Sequence, residues 1–143
     1  MITLKENPMI PYEGMEPFIY VSYSRRDSEK VRPIIDVMHN QGYRVWWDEG
    51  ILPGEDWTKS LVDHLTRCAV FMCFISRSSV ESHYVQQEVY FSVKEDRIII
   101  PVYLEDARLS DSWNMMLARY QHIRLDRYDT ISHFVELLNR TPS

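Results

Sequence analysis

Two stretches of this chain, Ala69 to Ile75 and Ile98 to Tyr103, are apolar throughout and only long enough to be β-strands. A strand with one wet face alternates polar and apolar residues, whereas a strand covered on both faces does not. Both runs are therefore expected to lie inside a sheet with helices above and below it. The flanking segments supply the rest of such a sheet. Phe18 to Tyr23 is a short β-rich run, and Asp27 is placed to cap a helix carrying Val31, Ile34, Ile35 and Met38 at helical spacing. Pro33 is expected to delay that helix or kink its first turns. Gly42 stops it, and Tyr43 to Trp47 reads as a second strand.

Asp48 to Asp56 holds Gly50, Pro53 and Gly54 and reads as a loop. A helix follows with Trp57, Leu61, Leu65 and Cys68 on one face. Ser78 and Glu81 fit a capping box for a third helix over roughly 79–94. Pro101 suggests the end of the second apolar strand, where a missing donor costs little. The stretch 104–119 reads as one short irregular helix, and Gln121 to Leu125 as a fifth strand. Ile131, Phe134, Val135 and Leu138 mark a last amphipathic helix. Five strands alternating with helices predict a parallel α/β sheet covered on both faces. Residues 1–16, with two prolines, a glycine and no period, read as a leader or the tail of an upstream linker. The domain is expected over 17–140, with 141–143 a tail or the start of a linker, and the chain as a fragment of a longer protein.

Composition removes several function classes. The four glycines spell neither GxGxxG nor a P-loop. The two cysteines, Cys68 and Cys73, make neither a disulfide framework nor a zinc set. The net charge is −5, and no basic cluster is denser than Arg25-Arg26, so nucleic acid is not an expected partner. The N-terminus has no apolar signal-peptide core, and no run is long enough to span a bilayer. A cytoplasmic location with reduced thiols is expected. The five histidines match no metal spacing, and no GxSxG is present. A phosphoacceptor reading of the same architecture needs acids after the first strand and an aspartate ending the third. Those places hold Ser22-Tyr23-Ser24 and Ser76.

Ligands of such sheets bind beyond the carboxyl ends of the strands. Ser22 to Asp27 could hold phosphates or ribose hydroxyls through its hydroxyls and arginines, or be a turn with solvated charges. The paired acids of the Asp48–Asp56 loop, Asp48-Glu49 and Glu55-Asp56, suit a cation or a basic partner, although no histidine or third carboxylate stands beside either pair to complete a metal site. Trp57 could stack on a flat ligand or pack into the core. Glu88 lies close to a largely apolar stripe of its helix. A carboxylate there is costly unless paired or used, and the alternative is an edge glutamate snorkelling into water.

Four stretches, in order, give the chain a likeness. They are Phe18 to Asp27, Gly42 to Trp57, Cys73 to Ser82 leading to Glu88-Val89, and Ile98 to Val102. Together they resemble a TIR (Toll/interleukin-1 receptor) domain of the bacterial kind, over roughly 17–140. The resemblance implies a flavodoxin-like five-stranded parallel sheet with helices on both faces. It implies an NAD⁺ glycohydrolase that cleaves the nicotinamide–ribose bond to give ADP-ribose or a cyclic isomer, in bacterial immunity or as an effector. NAD⁺ is then substrate, with neither cofactor nor metal. By the same resemblance Glu88 is the catalytic residue, and Tyr23, Ser24, Arg25, Arg26, Trp57 and Tyr84 line the substrate. Tyr84 departs from the family, which often has tryptophan there. The implied partners are other TIR domains, met through the loop before Trp57 (the BB loop of the family), and a fused or separate sensor. A non-catalytic interaction module is the alternative function.

Overall fold

The computed structural model describes residues 10–48, 56–128, 134, 136 and 138–140. Five strands, β1 (Ile19–Ser22), β2 (Val45–Trp47), β3 (Val70–Ile75), β4 (Ile98–Tyr103) and β5 (Ile123–Arg124), form one sheet in the order β2-β1-β3-β4-β5. Every pairing is parallel. The helices are α1 (Ser28–Asn40), α2 (Trp57–Arg67), α3 (Arg77–Val80), α4 (His83–Lys94), α5 (Asp111–Leu117) and α6 (Leu125–Tyr128). This is the flavodoxin-like arrangement expected from the sequence.

Strand alternation divides the core into two layers. Ile19, Val21, Val45, Trp47, Met72 and Phe74 face α1, together with Phe134 and Leu138 from the last stretch of the chain. Phe18, Tyr20, Trp46, Phe71, Cys73 and Ile75 face the opposite way, against α2, α4 and α5. All six residues of β3 are buried, as an interior parallel strand requires. Of the apolar set expected in the last helix, Ile131 and Val135 lie outside the described residues.

Several local expectations are corrected. α1 does not start late: it begins at Ser28 and runs through Pro33 to Asn40. Pro33 is exposed, so the carbonyl it leaves unpaired one turn earlier can bond water. Asp27 precedes α1 but makes no cap hydrogen bond; a short 3₁₀ turn over Arg25–Asp27, capped by Ser24, leads in instead. Gly42 ends this region with φ of +93°, which suits a residue without Cβ.

The helix expected over 79–94 is two helices. A capping box does exist, but it pairs Ser76 with Ser79, two residues earlier than Ser78 and Glu81. The chain then breaks, and Ser82 starts α4 by accepting from Val85 N–H at 3.3 Å. Four serines within seven residues, Ser76, Ser78, Ser79 and Ser82, offer the backbone competing caps. Pro101 lies inside β4, which continues to Tyr103. Leu104 N–H donates to Ile75 of β3, so by alternation the nitrogen of Pro101 faces the β5 side. Pairing with β5 begins only at Val102, which leaves no bond for Pro101 to break.

Candidate active site

Strand order reverses direction between β1 and β3, and the loops after these two strands part there. Crevices of this kind hold ligands in open α/β sheets. A cleft of about 770 Å³ opens at that place, within the usual size for a small-molecule site. The β1 loop contributes Tyr23, Ser24, Arg25 and Arg26; Ser78, Glu81, Ser82, Tyr84 and Glu88 come from the α3–α4 side, and Asp48 from the end of β2.

Glu88 lines the cleft with a buried carboxylate. It points from α4 onto the sheet and is only 9% exposed, so it does not snorkel into bulk water. Its carboxylate is held from β1. Ser22 Oγ donates to Oε1 at 2.7 Å, and the Tyr20 hydroxyl donates to Oε2. Burial pushes the Glu88 carboxyl up to about 7; the two donated bonds oppose that shift, and the Asp48 charge adds to it. A group poised there can be ionised or protonated near neutral pH. Tyr20 is held protonated by burial and by the neighbouring Glu88 charge, so it acts as donor. Burial likewise keeps the Cys73 thiol protonated on the strand beside them.

The remaining expected residues are mostly brought to the same cleft. Ser24 is buried and accepts from Arg26 N–H at 3.4 Å, which shapes the turn. That turn leaves the Arg25 and Arg26 side chains exposed at the mouth. Arg25 pairs with Asp48 at 3.2 Å. Tyr23 is half-buried along the wall. Tyr84, one helical turn before Glu88, is 61% exposed at the rim. Trp57 is the first residue of α2, but its side chain lies outside the described residues, as does 49–55 of the loop before it. Asp56, at the end of that loop, caps α2 by accepting from Lys59 N–H at 3.1 Å.

Tyr20 by itself carries no mark of a site residue in the sequence. Ser22 reads as part of a strand and its polar loop, with no partner assigned. The signal available was their spacing: two hydroxyls two residues apart on a strand share one face. In a strand whose every residue is buried, both need a partner.

The family model for the TIR domain matches residues 19–138, and the chain belongs to that family. No curated protein matches it by sequence. Among solved structures, it resembles the TIR domain of the Toll-related receptor TRR-2 from Hydra magnipapillata, with a TM-score of 0.73 and 13% identity, covering 85% of this chain and 94% of that one. It also resembles the TIR domains of the activated Roq1 resistosome, with a TM-score of 0.71 and 11% identity, over 87% and 98% of the two chains. A CMP N-glycosidase from Clostridium botulinum shares the fold at a TM-score of 0.58 and 15% identity, over 84% and 98%. Identities this low speak to the fold alone and say nothing of a bacterial or animal origin.

Proposed function

We propose that this TIR domain is an NAD⁺ glycohydrolase, with Glu88 as its catalytic residue. The observation that carries the reading is a buried carboxylate opening on the cleft at the β1/β3 switch point, held by two donors and poised near neutrality. Burying a carboxylate costs stability that an apolar side chain would not, and this one opens on a cleft.

The chemistry needs little more than a carboxylate. Nicotinamide in NAD⁺ is cationic and leaves as a neutral molecule, taking the electron pair of its bond to ribose C1′. The ribosyl group passes through an oxocarbenium-like state, as in other glycoside cleavages. Ionised Glu88 accepts hydrogen bonds from the ribose hydroxyls and stabilises the developing positive charge. Water then adds at C1′ and releases a proton, giving ADP-ribose; capture by the adenine of the same molecule gives a cyclic isomer. Arg25 and Arg26 at the mouth suit the pyrophosphate, and Tyr84 and Trp57 suit the flat rings. The structural neighbour named as a CMP N-glycosidase supports the reading, since an N-glycosidic bond is the class of bond to be cleaved.

The test is nicotinamide release from NAD⁺ by the wild type and by Glu88→Gln, with chromatography of the products. Release by the wild type and not by the variant is expected. Equal release by both, or none from concentrated wild type, removes the reading in favour of a non-catalytic interaction module. Self-association through the loop before α2 fits the same proposal, with specific activity rising with protein concentration. A flat specific activity removes that part. No helix among the described residues is long and apolar enough to cross a membrane.

A further inference from the structure

Among the described residues, the Glu88 carboxylate takes its side-chain hydrogen bonds from one strand, and the deeper of the two donors is a phenol. Tyr20 is fully buried in the middle of β1. Its ring lies between Trp46, at 4.9 Å between centroids, and Phe71, at 5.5 Å. Both neighbours belong to the same core layer, and the packing leaves the phenol little freedom. A phenylalanine fills that layer equally well. The hydroxyl is therefore not needed for packing, and burying it requires an acceptor. The acceptor is Glu88 Oε2.

We propose that Tyr20 is a positioning residue for Glu88: its hydroxyl fixes the direction in which the carboxylate faces the cleft. Tyr20 and Ser22 divide the work. Ser22 holds Oε1 at the edge of the cleft, and Tyr20 holds Oε2 behind it. With both oxygens engaged from one rigid strand, the carboxylate cannot swing about its last torsion. Each oxygen keeps a second lone pair for a ligand.

The charged and titratable groups around Glu88 come from several elements. They are Tyr20 on β1, Asp48 after β2, Cys73 on β3, Arg25 and Arg26 after β1, and Glu81 ahead of α4. Asp48 pushes Glu88 toward its acid form, and Cys73 is protonated and brings no charge. The Tyr20 and Ser22 bonds pull the other way. Tyr20 itself stays protonated, so its donation persists across the working pH range.

The kinetic part of this proposal rests on the NAD⁺ reading; the titration part does not, and the experiment uses both. Glu88 is titrated by carboxyl-carbon NMR in the full chain, its resonance assigned by loss in Glu88→Gln. Nicotinamide release is followed against pH in the same proteins. A hydrogen bond to a charged group corresponds to a shift of about one to two pH units. Tyr20→Phe is expected to raise the Glu88 midpoint by that amount. The acid limb of kcat/KM should rise with it, and kcat should fall with little change in KM. An unmoved midpoint, in a variant with the near-ultraviolet dichroism of the wild type, overturns the proposal.

Should Tyr20→Phe fold poorly, the unaltered chain still decides. A phenol proton donated to Glu88 resonates far downfield and titrates with the Glu88 midpoint; its absence overturns the assignment. A midpoint that moves in a protein releasing no nicotinamide supports Tyr20 and sinks the glycohydrolase. Nicotinamide release with an unmoved midpoint does the reverse.

Discussion

Asp27 and Glu88 are both buried carboxylates at the C-terminal end of the sheet, and both take hydrogen bonds from side-chain hydroxyls. Asp27 accepts from Ser76 Oγ, which itself accepts from Ser79 N–H at 3.0 Å. Ser79 Oγ in turn accepts from Ser76 N–H at 2.8 Å. This closed knot ties the turn after β1 to the end of β3, and none of its three members lines the cleft. Glu88 has donors on one side and the cleft on the other. Burial and hydroxyl donors are therefore common to both groups. Access to a cavity is what separates them.

Glu88→Gln tests this difference with the largest effect. Loss of one preorganised electrostatic contact to a transition state typically costs about 10²–10³-fold in rate, and a loss of at least that size in nicotinamide release is expected. Stability should move the other way. Glu88 titrates at about 7 in the folded chain and near 4.5 when unfolded, so between these values the folded state holds the extra proton. Its contribution to stability is then present below about 4.5 and lost as the pH rises through about 7. The full swing is of the order of 3 kcal/mol. Glu88→Gln lacks this slope and should outlast the wild type in urea at pH 8, with the advantage gone below pH 5. A variant less stable than the wild type at pH 8 would mean that the ionised group is a structural staple like Asp27.

Asp27→Ala tests the other carboxylate and should reverse the pattern. Ser76 Oγ loses its acceptor inside the core, at a cost of about 1–3 kcal/mol read from urea unfolding. The Glu88 midpoint should stay where it is, because no charge or donor at Glu88 has changed. A midpoint that moves with Asp27→Ala would join the two groups into one network.

The same contrast explains what the sequence made legible. The apolar runs at 69–75 and 98–103 announced an interior parallel sheet, since full burial of a strand is written in every one of its residues. Helical spacing in Val31, Ile34, Ile35 and Met38 was equally readable, and all four are buried. Glu88 was visible only as a carboxylate near an apolar stripe, and the family likeness gave it a role. Its partners were not legible, because Tyr20 and Ser22 become donors only once α4 lies over β1. The Asp27 knot was misread for the same reason. An aspartate before a helix is a good cap by local rules, but Ser76 is 49 residues away and offers a better bond. The break at Glu81–Ser82 was hidden by serines that suit several caps at once. Local chemistry was sufficient wherever one residue's environment followed from its neighbours in sequence. It failed where a distant hydroxyl chose the partner.

Asp48→Asn gives the smallest effect and the finest test of the contrast. Asp48 acts on Glu88 through charge across the cleft, and its influence is the last of the four acting on Glu88. Arg25 stands 3.2 Å from it, but the Arg25 side chain is 79% exposed, so water screens the pair. Removing the Asp48 charge should lower the Glu88 midpoint by roughly a few tenths of a pH unit at low salt, and by less as the ionic strength rises. The acid limb of kcat/KM should follow in the same direction, opposite to that of Tyr20→Phe. The two changes separate the forces that tune the site. A donated hydrogen bond is short-ranged and indifferent to salt, whereas a charge across an open cleft is weak and screened. If added salt abolishes the Tyr20→Phe shift as well, Tyr20 acts on Glu88 through the field of the cleft and not through its hydroxyl.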